Sequence, residues 1–480
     1  MPERADVVVA GAGLGGLSCA ALLARAGRRV VVLEKNRRPG GYAATFESRG
    51  HRFDIATQAL GGCEPEGPVR RLLRDVGAEA AVRFLPCEPA RVYFFEDGQA
   101  PYVQHGSWTA QMRALAARFP EHRALLEACY GVFSGLLDEL TRVGLEGRRD
   151  VPFGFSRRYP LLARYGKASV RDFLEEREVP AALGRLLTAR AGYCLLPPER
   201  LSLVGFACTE MTYGHGAWMV AGGVARLVSA LADALRRHGG RLLAGRAAAA
   251  ILTRDGRTRG VRTRDGAVVE APAVVAAAAA GPALTRWLDD PGLLPAGYRR
   301  KLARLRPSGS YFVAYYSVPE EAVADLWPNM EIHGRGPAEP SVFYVLVPSL
   351  VDREAAPEGR HCLCLSVPLE GGARPSAGER RALRARVEGA LVARFPSLAG
   401  RLEPLFELGP DHLALMTANP GGAAYGWDQI PEQAGIYRLN LKTPVPGLYL
   451  AGHWTMPGGG IAGVMTSGRL AARAILEEMA

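Results

Sequence analysis

The sequence predicts an α/β chain, α+β overall. One domain is built on a βαβ unit and assembled from discontinuous segments, with an antiparallel sheet and a helical part inserted into it. Three observations predict this. A strand, a glycine turn, a helix and a second strand open the chain between Val7 and Glu34. A further strand, glycine loop and helix close it between Pro446 and Met479. Between the two lie aromatic-rich strand-like runs and a long stretch of helical period that belong to neither unit.

The opening unit starts with the apolar run Val7-Val8-Val9-Ala10 and turns through Gly11-Ala12-Gly13-Leu14-Gly15-Gly16. Leu17, Ala20, Ala21, Leu22 and Leu23 follow at helical spacing, Gly27 ends the helix, and Val30-Val31-Val32-Leu33 runs to Glu34. Each glycine has a mechanical reason. Gly11 permits the tight turn, Gly13 clears a side chain from the path of a pyrophosphate, and Gly16 lets helix pack on strand. The helix N-terminus offers free N–H groups and partial positive charge to the phosphates. Glu34 stands where a carboxylate accepts from a ribose hydroxyl pair and repels a 2′-phosphate. The reading is a Rossmann-like dinucleotide site that disfavours NADP.

Past Glu34 the chain reads Lys35-Asn36-Arg37-Arg38-Pro39-Gly40-Gly41-Tyr42, then Gly50-His51-Arg52-Phe53-Asp54. The Gly40-Gly41 doublet lets the backbone pass close to the rest of a long cofactor. Here the sequence resembles the FAD-binding half of the phytoene desaturase, carotenoid isomerase and retinol saturase family, which sits in a wider group with flavin amine oxidases and Rab escort proteins. The resemblance implies FAD as cofactor, held by Gly11, Gly13, Leu14, Gly15, Gly16, Glu34, Lys35, Gly40 and Gly41.

Further along, Glu66 to Asp75 reads as a surface helix, and Arg91 to Phe95 with Tyr102-Val103 as a β-hairpin turning at Asp97-Gly98. Thr109 to Val143 is helical in period, with Pro120 interrupting. The family texture returns at Tyr213-Gly214-His215-Gly216-Ala217-Trp218 and Gly222-Gly223, followed by a helix from Val224 to His238. Strands Ala247 to Thr253 and Gly260 to Thr263 join at Asp255-Gly256, and Val268 to Glu270 adds a third. In relatives this unit extends the FAD domain, and one strand gives backbone contacts to the adenine side. Tyr311 to Val318, Phe343 to Val347 and His361 to Val367 are strand-like, and Glu379 to Phe395 is an amphipathic helix.

The closing unit is Pro446-Gly447-Leu448-Tyr449-Leu450-Ala451-Gly452, then His453-Trp454-Thr455-Met456-Pro457, Gly458-Gly459-Gly460-Ile461 and a helix to Met479. A second helix N-terminus brings N–H groups and positive dipole toward a flavin edge where negative charge builds on reduction. The segment resembles the same family's C-terminal motif, which adds Gly452, His453, Gly460 and Ile461 to the expected cofactor contacts. Relatives often carry Asp or Thr where His453 stands.

Bulk properties narrow the function. The 480 residues suit two or three domains, and 48% hydrophobic with 22% charged content suits a large core. No apolar run is long enough to span a bilayer, and no signal peptide opens the chain. The eight cysteines include no CxxC pair and read as core thiols of a reducing, cytoplasmic compartment, with no metal site. The net charge of +11 is carried by arginine, without a nucleic-acid module. A second GxGxxG in strand context is missing, so FAD is expected to be the only nucleotide.

The boundaries read from the sequence are 1–90, 206–284 and 420–480 for the FAD domain. A helical part, 91–205, faces substrate or membrane, and 285–419 forms a substrate-binding sheet. Tyr213, His215, Trp218, Tyr425 and Trp427 lie next to the cofactor motifs and are the candidates for the flavin's reacting face. Flavin amine oxidases usually place a lysine at the start of the substrate-domain strand, where this chain has Ser308-Gly309-Ser310. The resemblance therefore implies an FAD-dependent oxidoreductase acting on C–C bonds of a long apolar substrate (polyene, isoprenoid or acyl chain) by desaturation, saturation or isomerisation. Amine oxidation and a non-catalytic lipid escort are the alternatives. The stretch 144–171 carries seven basic residues interleaved with Phe153, Phe155, Tyr159, Leu161, Leu162 and Tyr165, and is the expected contact with an anionic membrane surface, on its inner face.

Overall fold

A computed structural model describes residues 3–55, 59–98, 100–146, 154–334 and 340–480. Its organising element is a five-stranded, all-parallel sheet. The strand order is Arg241–Ala244, Val30–Glu34, Val7–Ala10, Ala273–Ala276 and Leu448–Leu450, so both ends of the chain and its middle meet in one layer. The inner strands are buried along their whole length. That is the burial a parallel strand requires when both faces are covered, and it explains a composition dominated by Val, Ala and Leu. Val7, Val9, Val30 and Val32 pack under the helices Leu14–Arg25, Ala225–Arg237 and Ile461–Glu478. Val8, Val31, Val274 and Leu448 pack on the opposite side, against Ile251, Val261, Leu284 and Trp454.

A four-stranded sheet packs against this layer, in the order Glu3–Arg4, Val268–Glu270, Arg257–Thr263 and Ala248–Arg254. Its hairpin turns at Asp255 and Gly256, both at positive φ (52° and 76°), the conformation for which an Asp-Gly pair is suited. A seven-stranded sheet follows the order Glu403–Leu408, Ser310–Pro319, Arg360–Leu369, Val342–Leu346, Asn329–His333, Arg91–Phe94 and Tyr102–Gln104. One of its faces, with Phe312, Ala314 and Tyr316, lies under the helix Ala377–Arg394. The other face carries Tyr311, Val313, Tyr315, Cys362 and Cys364.

Two expectations need correction. The sequence places the hairpin 91–104 in the helical part 91–205, but Arg91–Phe94 pairs in parallel with Asn329–His333 and extends the seven-stranded sheet. Val92 and Phe94 join Met330 and Ile332 on one face, and Arg91 Nη1 donates to Glu331 Oε2 at 2.7 Å. The second correction concerns 144–171, of which Arg148, Arg149 and Phe153 lie outside the described residues. Tyr159, Leu162 and Tyr165 are each 1% exposed and belong to the core of the helical region, so they are not available for insertion into lipid. Glu139 fixes this segment: its carboxylate accepts from the Leu161 and Leu162 N–H groups (3.2 and 2.8 Å) at the start of the helix Pro160–Tyr165. Arg142 and Arg158 lie over the Tyr159 ring, and Arg164 pairs with Glu176.

Among the described residues no helix is long and apolar enough to cross a membrane. Among the described residues two ion pairs are buried. Arg91 holds Glu331, and Arg190 Nε donates to Glu210 Oε2 at 2.8 Å. Removing one partner strands the other's charge in the interior, at a cost of about 3–5 kcal/mol. Glu210 also accepts from the Tyr130 hydroxyl. The substitution Glu210→Ala is therefore expected to lower unfolding stability by about that amount, read as a fall in the urea midpoint by far-UV circular dichroism. An unchanged midpoint would show that Arg190 finds water in the variant.

Candidate active site

A cavity of about 490 Å³ opens above the carboxyl ends of the five parallel strands. The glycine turn forms its floor, and its glycines differ in what surrounds them. Gly11 sits at φ +116°, and a Cβ there would overlap the Ala277 carbonyl oxygen. A Cβ on Gly16 would overlap Gly11 O. A Cβ on Gly13, at an ordinary φ of −71°, would meet no protein atom within 4 Å. Gly11 and Gly16 are thus demanded by packing, whereas the demand at Gly13 comes from the cavity side.

Gly15 lines the same floor, and its Cβ would lie 2.9 Å from Gly452 Cα. Gly452 (φ +98°) and Gly460 (φ +79°) line the cavity with open space at their own Cβ positions. Leu14 and Ile461, also in the wall, are the first residues of the helices Leu14–Arg25 and Ile461–Glu478. Two helix N-termini therefore present their free N–H groups to one space.

Glu34 is 6% exposed at one side of the cavity. Its Oε2 accepts from Ala12 N and its Oε1 from Asn36 N, both at 2.9 Å. An ionised carboxylate has roughly four lone-pair positions, so acceptor capacity remains for a diol. Arg246 N donates to Glu34 O, which brings Ala247 and Ala248 into the wall beside it, along with Arg264, Arg286 and Trp287. Lys35 lines this side as well, with Nζ donating to Leu415 O at 2.8 Å, and burial lowers its pKa. Gly40 and Gly41 continue the wall at positive φ.

His453 lines the opposite region. Its Nδ1 lies 3.2 Å from Ala424 O and so carries the proton and donates. Burial, reinforced by the nearby Arg438 charge, lowers its pKa to about 3, so the ring is neutral. Arg438 is itself buried and donates to the carbonyls of Tyr425, Trp427, His453 and Thr455.

The five candidates for the reacting face separate. Tyr213 and Tyr425 line the cavity, Tyr213 donating to Ala59 O at 2.8 Å and Tyr425 meeting the Tyr311 hydroxyl at 3.4 Å. His215, Trp218 and Trp427 are absent from its wall. His215 is exposed and bridges to Ser107. Trp218 is held by strand pairing with Leu60 and by the Arg70 guanidinium over its ring. Trp427 donates from Nε1 to Trp454 O at 2.8 Å and stacks edge-on against that indole, which holds the closing loop. Sequence reasoning missed Tyr193, Tyr311, Arg264 and Arg286. Only Tyr311 had a usable signal, since strand alternation from Tyr311 puts Val313 and Tyr315 on its face.

This wall fits FAD. It offers an open glycine path between two helix N-termini, an anchored carboxylate with spare acceptor capacity, and an aromatic far side. The variant Gly13→Val is expected to fold normally and purify colourless, because the new side chain fills only the cofactor's path. Gly16→Val is expected to fail to fold, because its clash is with backbone. Flavin absorbance against circular dichroism separates them, and a yellow Gly13→Val would overturn the assignment. Glu34→Ala removes a charged acceptor, worth roughly 1.5–3 kcal/mol, and is expected to weaken FAD binding by about one to two orders of magnitude in apoprotein titration. Unchanged affinity would mean that the ribose is held elsewhere.

A zeta-carotene-forming phytoene desaturase from Myxococcus xanthus is 29% identical, over 97% of this chain and 92% of its own. An all-trans-retinol 13,14-reductase from Macaca fascicularis is 24% identical, over 99% of this chain and 86% of its own. Among solved structures, a cyclohexylamine oxidase from Brevibacterium oxydans superposes with a TM-score of 0.65 at 20% identity, covering 99% of each chain, a likeness of fold. The family described as flavin containing amine oxidoreductase matches residues 14–476, and the chain belongs to it.

Proposed function

We propose that this FAD-dependent oxidoreductase acts on carbon–carbon bonds of a long apolar polyene, by desaturation, saturation or double-bond isomerisation. The observation that carries the reading is end-to-end similarity to relatives named for polyene substrates, at 97% and 99% of the chain. The site agrees in two respects. Lys301 lies on the helix Ala296–Arg304, and Ser308, Gly309 and Ser310 occupy the approach to the strand where amine oxidases usually carry lysine. Among the described residues of the cavity wall Glu34 is the only acid, so a cationic amine meets no carboxylate on the tyrosine side.

When bound, FAD supplies the hydride chemistry. The chain supplies position: Gly13, Gly15 and Gly16 with Gly452 and Gly460 hold the cofactor between the helix ends, and Glu34 holds its ribose. Neutral His453 and the tyrosines Tyr213 and Tyr425 border the reacting side and keep water out. The exposed Arg157 and Arg158 leave room for an electrostatic contact with anionic lipid, which liposome sedimentation reversed by salt would detect. We place the protein in a reducing compartment, since all eight cysteines are free.

The test is anaerobic. Purified holoenzyme, oxidised and reduced, is mixed with polyenes and with primary amines, following flavin absorbance and product mass. Polyenes are expected to change the flavin's redox state or to isomerise, with amines inert. FAD is expected from the sequence to be the only nucleotide, so NADH and NADPH are expected to leave the flavin oxidised in a stopped-flow trace. Bleaching by amines alone would overturn the polyene reading.

A further inference from the structure

The tyrosine side of the cavity contains more hydrogen-bonding capacity than an unsubstituted hydrocarbon can use. Tyr193, Tyr213, Tyr311 and Tyr425 all line it. They are close enough that the Tyr425 hydroxyl feels those of Tyr311 and Tyr193, and Tyr213 feels Tyr193 and Tyr425. Tyr213 donates to Ala59 O and is satisfied.

Among the other three, two hydroxyl protons find no acceptor among the described residues. Asn329 Nδ2 donates to Ala90 O at 2.8 Å, which fixes the orientation of that amide. The same nitrogen donates to the Tyr193 oxygen at 3.2 Å, so the Tyr193 hydroxyl accepts and its own proton finds no acceptor among the described residues. Tyr311 and Tyr425 meet hydroxyl to hydroxyl at 3.4 Å. Whichever donates, the other keeps an uncommitted proton. Two uncommitted O–H donors therefore belong to tyrosines that line this cavity. Covering such a donor with hydrocarbon costs about 1–3 kcal/mol, because its water is lost and nothing replaces it.

The charge behind these rings decides what kind of oxygen they suit. The Arg91 guanidinium stacks 3.8 Å from the centre of the Tyr193 ring, and that of Arg190 lies 4.8 Å from the Tyr213 ring. Each is already matched by a buried carboxylate, Glu331 and Glu210. The two cations are therefore neutralised in place, and a substrate carboxylate would enter without a counter-charge, which is costly in a buried site. A neutral, acceptor-only oxygen suits two neutral donors.

We propose that the polyene carries a carbonyl oxygen, as an aldehyde or ketone, at the end that reaches Tyr193, Tyr311 and Tyr425. This rests on the polyene reading above and narrows its substrate class.

The test uses holoenzyme and three ligands of equal chain length: a hydrocarbon polyene, its terminal aldehyde and the matching carboxylate. Affinities are read from perturbation of the flavin spectrum. The aldehyde is expected to bind about 10-fold more tightly than either of the others. In Tyr193→Phe, and independently in Tyr425→Phe, the aldehyde-to-hydrocarbon affinity ratio is expected to fall about 3- to 10-fold, since each variant keeps the ring and removes one hydroxyl. Equal binding of aldehyde and hydrocarbon, preference for the carboxylate, or an unchanged ratio in both variants would overturn the proposal while leaving a polyene substrate standing. If none of the three ligands perturbs the flavin, the polyene reading falls and the proposal with it.

Discussion

The structure depends on how closely its first and last long helices approach. Leu14–Arg25 and Ile461–Glu478 cross through glycine: a Cβ on Gly468 would overlap Gly15 O and press on Ser18 and Cys19, and one on Gly15 would press on Gly452. Only backbone-to-backbone contact lets these helices start side by side, and each starts at the end of a strand of the same parallel sheet. Two helix N-termini, each carrying roughly half a positive charge, are thereby aimed into one cavity. The strand order puts Leu448–Leu450 beside Ala273–Ala276, which in turn lies beside Val7–Ala10. That order is what makes the approach possible, and everything inserted between the chain ends is arranged around it.

The second device is Arg438. It is fully buried, and burial lowers its pKa to about 10, which still leaves it charged at neutral pH. Its Nε and Nη2 groups reach carbonyls on 425, 427, 453 and 455, tying the segment that carries Tyr425 to the loop that carries His453. A single cation thus sets two parts of the cavity wall that are distant in sequence, and its field helps keep His453 neutral. Trp427 and Trp454 complete the same loop through one hydrogen bond and an edge-on stack.

What could be read from the sequence was whatever is local. The strand, glycine turn, helix and acid of the opening unit are fixed by neighbours within about 30 residues, and the Asp255-Gly256 turn by its own two dihedral angles. Partnership between distant segments was not legible. The hairpin at 91–104 shows its own alternation but not the open edge of Asn329–His333 that it joins. Tyr159, Leu162 and Tyr165 among arginines have the composition of a membrane-surface stretch. The same composition arises when guanidinium groups stack on buried rings, and only the position of Glu139 on a preceding helix decides between them. Aromatics beside cofactor motifs were equally ambiguous, because a tryptophan that lines a cavity and one that braces the loop behind it look alike in sequence.

The chemistry of the cavity's far side is finally a matter of strand parity. Along Ser310–Pro319, Tyr311, Val313 and Tyr315 face one way and Phe312, Ala314 and Tyr316 the other, under the helix Ala377–Arg394. A slip of one residue would exchange the two sets, burying Tyr311 under that helix and turning Phe312 toward the cavity. The register is pinned on both sides, by ten paired positions with Arg360–Leu369 and by pairing with Glu403–Leu408. Ser310–Pro319 therefore has no freedom to slip, and the meeting of the Tyr311 and Tyr425 hydroxyls is fixed by the sheet and not by local contacts alone. The parallel sheet sets the glycine floor of the cavity, and the register of the antiparallel sheet sets which side chains line its far side.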